Sequence, residues 1–305
     1  MKKVIVIAGP TATGKTALSV RLAKELGIEV ISADSVQIYR KLNIGSAKPT
    51  AEEMQGISHH MMDILEPEAS FSVADFCAIA KDTVDAIHQK GKIPIIAGGT
   101  GLYISSFMNN ISFAEEKTEN TIRDALYRQL EQIGAEAMHQ KLSAIDPVAA
   151  KSIHPHNTKR VIRAIEIFET TGKTMTEQNR ESKLVPSPYA FILVGLNCER
   201  ELLYERINRR VDMMVEQGLF QEVQALLEQG VSKDAQSMQG IGYKEAVQYL
   251  CGEISKEESI EAIKQNSRRY AKRQLTWFKR EPYRWFDCLE ESLYQSVKTY
   301  IGENI

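Results

Sequence analysis

One short stretch constrains this chain more than any other: a Gly-rich octapeptide set between a strand and a helix. Lys3–Ala8 (KVIVIA) is a run dominated by β-branched residues, the pattern of a strand buried on both faces. Gly9-Pro10-Thr11-Ala12-Thr13-Gly14-Lys15-Thr16 follows and fits GxxxxGK[ST]. Ala17–Leu26 then reads as a helix, with Leu18, Leu22 and Leu26 one turn apart and Gly27 as its stop. Such a loop converges backbone N–H groups on phosphate oxygens, which requires the close approach that glycines permit. Gly9 through Thr16 are therefore the candidate diphosphate-binding residues. Lys15 supplies positive charge to the oxygens, and the Thr16 hydroxyl is a candidate Mg²⁺ ligand. The loop specifies a diphosphate-bearing ligand. It specifies neither a nucleotide nor phosphoryl transfer.

The rest of the first hundred residues continues the alternation. Glu29–Ser32 reads as a strand, Phe76–His88 as a helix and Lys92–Ala97 (KIPIIA) as a third strand running into Gly98-Gly99-Thr100-Gly101. Short turns between such elements imply right-handed crossovers and a parallel sheet. From about residue 115 to 185 the strand signals vanish. Helical ones take their place over Thr121–Ile133, Ala135–Leu142 and Thr158–Glu169, the last with Val161, Ile165 and Phe168 on one face. Ala190–Leu196 is strand-like again, followed by helical patterns over Arg200–Glu216, Phe220–Glu228, Tyr243–Leu250 and roughly Lys256–Lys279. The expected fold class is α/β: a P-loop NTPase-like parallel sheet flanked by helices, residues 1–114 and 186–305, interrupted by an all-helical insertion over 115–185. At 305 residues the chain has room for that arrangement. The acidic stretch after about 287 is expected to be peripheral.

P-loop ATPases place an Asp at the end of a later strand to hold Mg²⁺. Here the third strand ends in GGTG without a carboxylate, which disfavours a motor or switch NTPase. Asp34, after the second strand, is the carboxylate aimed at the same crevice, because ligands of open parallel sheets sit outside the carboxyl ends of the strands. It is a candidate general base, with a helix cap or an outer Mg²⁺ partner as the structural alternative. Gln37 carries an amide able to pair with an adenine edge. Arg206 and Arg210 lie four apart on one helix face, so either is able to fold over the phosphates of a leaving group.

At this point the residues resemble a known family. GPTATGKT (9–16), SADSVQIYR (32–40), GSAKP (45–49), HHMMDI (59–64), GGTGLY (98–103), KRVIRAIE (159–166), QGIGYKE (239–245) and YAKRQLTWFKR (270–280) occur in the order seen in tRNA dimethylallyltransferases. The resemblance spans almost the whole chain. It implies transfer of a dimethylallyl group from dimethylallyl diphosphate to N6 of the adenosine just 3′ of the anticodon, with Mg²⁺ as cofactor. The loop would then hold an isoprenoid diphosphate rather than ATP. Asp34 would be the base, Lys15 and Thr100 would be catalytic, and Arg206 or Arg210 would neutralise the leaving diphosphate. The substrate base would meet Asp34, Ser35, Val36, Gln37 and Thr100. The anticodon stem-loop would meet Arg123, Lys159, Arg160, Val161, Ile162, Arg163, Lys272 and Arg273. Eukaryotic relatives carry a C-terminal zinc finger. This chain lacks its cysteine pattern and resembles the shorter bacterial type. A small-molecule P-loop kinase is the alternative enzyme class.

Net charge, −2, seems at first to argue against a nucleic-acid partner. Its distribution reverses that. Residues 151–184 carry +3 and residues 268–284 (RRYAKRQLTWFKREPYR) carry +6, with Tyr270, Trp277, Phe278 and Tyr283 interleaved. Basic plus aromatic composition suits a surface that tracks a backbone and stacks bases, while Leu275 and Phe278, three apart, place part of the segment in the core, with some of its aromatics against the sheet. Lys159, Arg160 and Arg163 share one side of their helix, as phosphate contacts require. Cys77, Cys198, Cys251 and Cys288 form no CxxC pair, so free thiols are expected rather than a disulfide framework or zinc ribbon. His59-His60 with Asp63 has no metal-site spacing and is expected to pack a loop. No apolar run approaches membrane-span length and no signal peptide is read at the start. The expectation is a cytoplasmic monomer without a membrane partner.

Overall fold

The computed structural model describes residues 1–111, 113, 121–182 and 184–305. The chain divides into two compact units, one of residues 1–107 and 188–305, the other of residues 108–187. Positions 114 and 115, where the sequence places the first boundary of the insertion, lie outside the described residues.

In the larger unit, β-branched runs become strands of a parallel sheet. The elements in chain order are β1 (Lys2–Ala8), α1 (Lys15–Leu26), β2 (Val30–Ala33), α2 (Ala51–Met54), β3 (His59–His60), α3 (Val73–Gln89), β4 (Ile95–Gly98) and α4 (Gly101–Met108). The insertion supplies α5 (Thr121–Ile145), α6 (Pro147–Ser152), α7 (Thr158–Thr171) and α8 (Met175–Ser182). The larger unit resumes with β5 (Tyr189–Asn197), α9 (Arg200–Glu216), α10 (Leu219–Glu228), α11 (Tyr243–Leu250), α12 (Lys256–Phe278), β6 (Arg284–Asp287) and α13 (Leu293–Asn304).

Among the described residues the sheet has six strands in the order β3-β2-β4-β1-β5-β6, all pairs parallel. β1 is central, with Ile5 opposite Ile95 of β4 and Ile192 of β5. Ile5, Ile7, Leu22, Ile95, Val194 and Leu196 are fully buried in one cluster, which explains the near-continuous apolar character of these strands. The carboxyl ends of β1, β2 and β4 lead into the Gly9–Thr16 loop, the Asp34 turn and the Gly98–Thr100 turn, so one edge of the sheet gathers all three. This is the P-loop NTPase-like core expected from sequence.

Among its described residues the insertion holds helices and no strand, and it has a core of its own, built from Leu126, Met138, Leu142, Val161, Ile162 and Ile165. α5 is interrupted at Gly134, whose φ of +81° and ψ of 170° leave the helical region, so the two helices read from sequence meet there. Asp146 caps α6 through Ala149 N–H and also accepts from Thr176 N–H and Oγ1. That holds the start of α8 against it.

One expectation needs correction. The stretch after 287 is not peripheral: β6 extends the sheet, and α13 buries Val297 and Ile301 against it. Its short strand and single apolar stripe carry too weak a pattern to read alone. The segment 268–284 is partly core, as the spacing of Leu275 and Phe278 implies. Phe278 and Tyr283 are buried edge to face with ring centres 5.6 Å apart. Trp277 donates to Ser105 Oγ at 2.8 Å. Most of the exposed members of that segment are cations, among them Lys272, Arg273, Lys279 and Arg280.

Candidate active site

Gly9 ends β1 with a φ of +153°, and a Cβ there would lie 2.4 Å from the Leu196 carbonyl oxygen. Only glycine lets the loop leave the sheet beside β5. The loop's carbonyls are then held by cations and a hydroxyl. Lys15 Nζ donates to Pro10 O at 2.7 Å and Thr13 Oγ1 donates to the same oxygen at 2.9 Å. Arg206 Nε donates to Ala12 O at 2.8 Å, and Arg210 donates to Thr11 Oγ1 at 3.2 Å. α1 starts at Lys15 after Gly14, with no side chain capping its first turn. Its leading N–H groups therefore remain available to an anion.

These groups open on a crevice of about 1270 Å³ lined by the loop, Asp34, Gln37, the 43–50 segment, Arg206, Arg209, Arg210, Tyr270 and Gln274. Burial, with the charge of Arg210 next, pushes Lys15 down to about 7 despite the opposing attraction of Asp34. Burial also lowers Arg210. Several cations thus crowd one poorly solvated space, an arrangement that an incoming polyanion relieves. Tyr270 is pushed up to about 12 by burial and by Asp34, so its hydroxyl stays protonated.

Asp34 sits at the end of β2. Its Oδ1 accepts Val36 N–H at 2.9 Å and Gln37 N–H at 3.2 Å. Its other oxygen has no hydrogen-bond partner among the described residues. The cap and base readings therefore coexist, one on each oxygen. Thr100 Oγ1 accepts Ser35 N–H at 3.2 Å, joining the turn after β4 to the turn after β2. Asp34, Ser35, Thr100, Lys15, Arg206 and Arg210, scattered over 196 positions, are brought together.

Gln37 does not present a free amide. It is buried, its Oε1 accepts from Ser32 Oγ at 3.0 Å, and its Nε2 donates to the carbonyls of Ser46 and Ala47, both at 3.3 Å. It braces the crevice wall instead of pairing with an adenine edge.

Val161 and Ile162 require the same kind of correction. They are 1% and 2% exposed, deep in the insertion's core, because they lie on the face of α7 turned to α5. Lys159 and Arg160 are exposed on the opposite side. Arg123 makes a two-point contact with Glu166, at 3.0 and 3.2 Å, and Arg163 donates to the same carboxylate at 3.0 Å. His59 Nδ1 pairs with Ile57 O, and His60 pairs with Glu29 at 2.7 Å. Both histidines belong to the edge of the sheet.

Sequence reasoning assigned no role to Gln274, Glu222 or Tyr243. Gln274 bridges Thr11 and Gly99. Glu222 and Tyr243 hold the 43–46 backbone. Gln274 and Tyr243 fall within the family-like motifs, whereas Glu222 lies outside them, and the partners of all three are too far away in sequence to be read.

The family model described as IPP transferase matches residues 37–281. A "tRNA dimethylallyltransferase" of Halalkalibacterium halodurans is 51% identical over 290 residues, 95% of this chain and 92% of the relative. One from Bacillus subtilis is 49% identical over 285 residues, 93% and 90% of the two chains. The crystal structure of a tRNA delta(2)-isopentenylpyrophosphate transferase from Staphylococcus epidermidis superposes with a TM-score of 0.74 at 45% identity, covering 100% of both chains. A eukaryotic dimethylallyltransferase acting on tRNA gives 0.84 at 31% identity, covering 100% of this chain and 79% of the other.

Proposed function

This chain belongs to the IPP transferase family, and we propose that it transfers a dimethylallyl group from dimethylallyl diphosphate to N6 of the adenosine just 3′ of the anticodon in tRNA. The observation that carries this reading is the pairing of a phosphate loop with the carboxylate of Asp34 at the end of β2. Lys15, Arg206 and Arg210 surround the loop, Asp34 lies across the crevice, and β4 ends in glycines where a phosphoryl-transfer enzyme would place its metal-holding acid.

The exocyclic amine of adenine is a weak nucleophile because its lone pair is delocalised into the ring. As N6 bonds to C1 of the dimethylallyl group, the C1–O bond breaks and diphosphate leaves. Asp34, through the oxygen not engaged by Val36 and Gln37, takes the N6 proton. Negative charge grows on the leaving diphosphate, and Lys15, Arg206, Arg210 and the N–H groups of the loop stabilise it. Thr100 orients the turn beside the base.

The donor set suits Mg²⁺. Thr16 places an exposed hydroxyl at the start of α1, and Mg²⁺ ordinarily takes one or two protein oxygens plus phosphate and water. Thr16 would hold it, and when bound it would offset diphosphate charge. Among the described residues no helix is long and apolar enough to cross a membrane. A tRNA substrate points to the cytoplasm as the place of the reaction. Lys159 and Arg160 on the insertion, and Lys272 and Arg273 on α12, are the exposed cations suited to tRNA phosphates.

The test incubates the protein with dimethylallyl diphosphate, Mg²⁺ and unmodified tRNA carrying an adenosine after the anticodon. Prenylated adenosine at that position is the expected product. ATP hydrolysis or phosphorylation of a small molecule without prenyl transfer would support the kinase alternative and overturn this reading.

A further inference from the structure

Gln274 lies near the C-terminal end of α12, is 5% exposed, and touches both working loops at once. Its Oε1 accepts Thr11 N–H at 2.9 Å, and its Nε2 donates to the Gly99 carbonyl at 2.9 Å. Thr11 belongs to the diphosphate loop. Gly99 precedes Thr100, whose hydroxyl accepts the N–H of Ser35, the neighbour of Asp34. One amide therefore joins the part of the crevice that holds the leaving group to the part that holds the base.

Gly99 is explained by the same contact. A Cβ built there would lie 2.2 Å from Gln274 Nε2, whereas the nearest backbone atom, Gly9 O, is 3.7 Å away. Its φ needs no glycine. The missing side chain reserves space for the amide, so Gly99 and Gln274 form one device across 175 residues of sequence. Only a side chain that both donates and accepts satisfies the two loops. An apolar side chain of similar size would strand the Thr11 N–H and the Gly99 carbonyl in a dry site.

We propose that Gln274 is a positioning residue that sets the distance between the diphosphate loop and the Asp34–Thr100 side of the crevice. This rests on the prenyl-transfer reading above. Displacement at carbon demands that leaving group and acceptor stay aligned, and a misplacement of about 1 Å costs on the order of a hundredfold in rate. A positioning residue therefore acts on kcat more than on the KM of either substrate.

The experiment compares wild type, Gln274→Met, Gln274→Glu and Gly99→Ala. Each is assayed for steady-state prenyl transfer and for hydrogen exchange of the segments 9–16 and 98–101. Gly99→Ala pushes the amide aside without altering Gln274. Gln274→Met and Gly99→Ala should each lower kcat by roughly 10- to 100-fold with KM for dimethylallyl diphosphate moving less than about threefold. Both should lose exchange protection in the two segments together. Glutamate matches the amide only when protonated, so the activity of Gln274→Glu relative to wild type should rise as pH falls from 8 to 6, while that of Gln274→Met stays flat. An active wild type whose Gln274→Met and Gly99→Ala variants keep kcat within twofold overturns the proposal. A wild type that transfers no prenyl group overturns the functional reading instead. The coupling is then judged by exchange alone, and unchanged protection in Gln274→Met overturns it.

Discussion

Tyr243 Oη donates to Glu222 Oε1 at 2.7 Å, and between them the two side chains receive four consecutive backbone N–H groups. Glu222 accepts those of Asn43, Ile44 and Gly45, and Tyr243 accepts that of Ser46. The ring of Tyr243 fills the space a Cβ on Gly45 would need, at 2.6 Å. Burial, and next the Glu222 carboxylate, hold the phenol above its usual range, so it remains a donor. The fixed segment then offers its Ser46 and Ala47 carbonyls to Gln37 and that of Ala47 to Arg210, which sets the wall facing the phosphate loop.

Removing that clamp should be costly. Glu222→Ala strips several N–H groups of a charged acceptor at once and should destabilise the larger unit by about 2–4 kcal/mol. Tyr243→Phe loses one hydroxyl and should cost about 1–2 kcal/mol. Urea unfolding followed by circular dichroism measures both. A loss below 0.5 kcal/mol for Glu222→Ala would mean that water replaces the carboxylate freely.

Asp34→Asn separates the two jobs of that side chain. Asparagine's carbonyl oxygen still accepts from Val36 and Gln37 N–H, so the turn and the melting temperature should be retained. The amide is no base, and kcat should fall by roughly 10²- to 10⁴-fold. A variant with normal kcat would remove Asp34 from the role of base and leave it as a cap.

What was legible in sequence was local. Lys3–Ala8 with the octapeptide after it fixes a strand, a phosphate loop and a helix within 24 residues, and Asp34 follows from its place at a strand end. Arg206 and Arg210 could be read as a pair because helix period joins them. Residues whose role lies in a distant contact were not legible. Gln274 meets Thr11 over 263 positions and Glu222 meets Asn43 over 179. Neither has a pattern of its own. Gln37 was misread for the complementary reason: an amide's chemistry is visible in sequence, but the carbonyls that consume it are not. β3 and β6, at two and four residues, are too short to show a period.

The two faces of α7 should respond to different measurements. Val161→Ala and Ile162→Ala cut into the insertion's core and should cost about 1–3 kcal/mol, seen as a lower melting temperature. Lys159→Ala and Arg160→Ala should leave stability within about 0.5 kcal/mol. They should instead weaken tRNA binding, each lowering the slope of log affinity against log salt by up to about 0.9. A salt slope unchanged in both would move the tRNA contact elsewhere.

Lys15 should make diphosphate binding proton-linked. In the folded protein its amine sits at about 7, against 10.5 for an unburied lysine. Between those values the unfolded chain holds the extra proton, so this residue's contribution to stability rises with pH across the window and its burial penalty is complete below about 7. A bound diphosphate reverses the balance, because its charge draws the proton back onto Nζ. Near pH 8 binding should therefore take up a proton at Lys15, and affinity should weaken as pH rises further. Calorimetry of inorganic pyrophosphate binding at pH 8, in two buffers of different ionisation enthalpy, reads that uptake directly. Lys15→Met supplies the reference for protons gained by the ligand itself. Wild type should take up more protons than the variant, by as much as about one, since a single amine changes state. Equal uptake would show that Lys15 is already charged in the free protein and that the phosphate loop stores no such penalty.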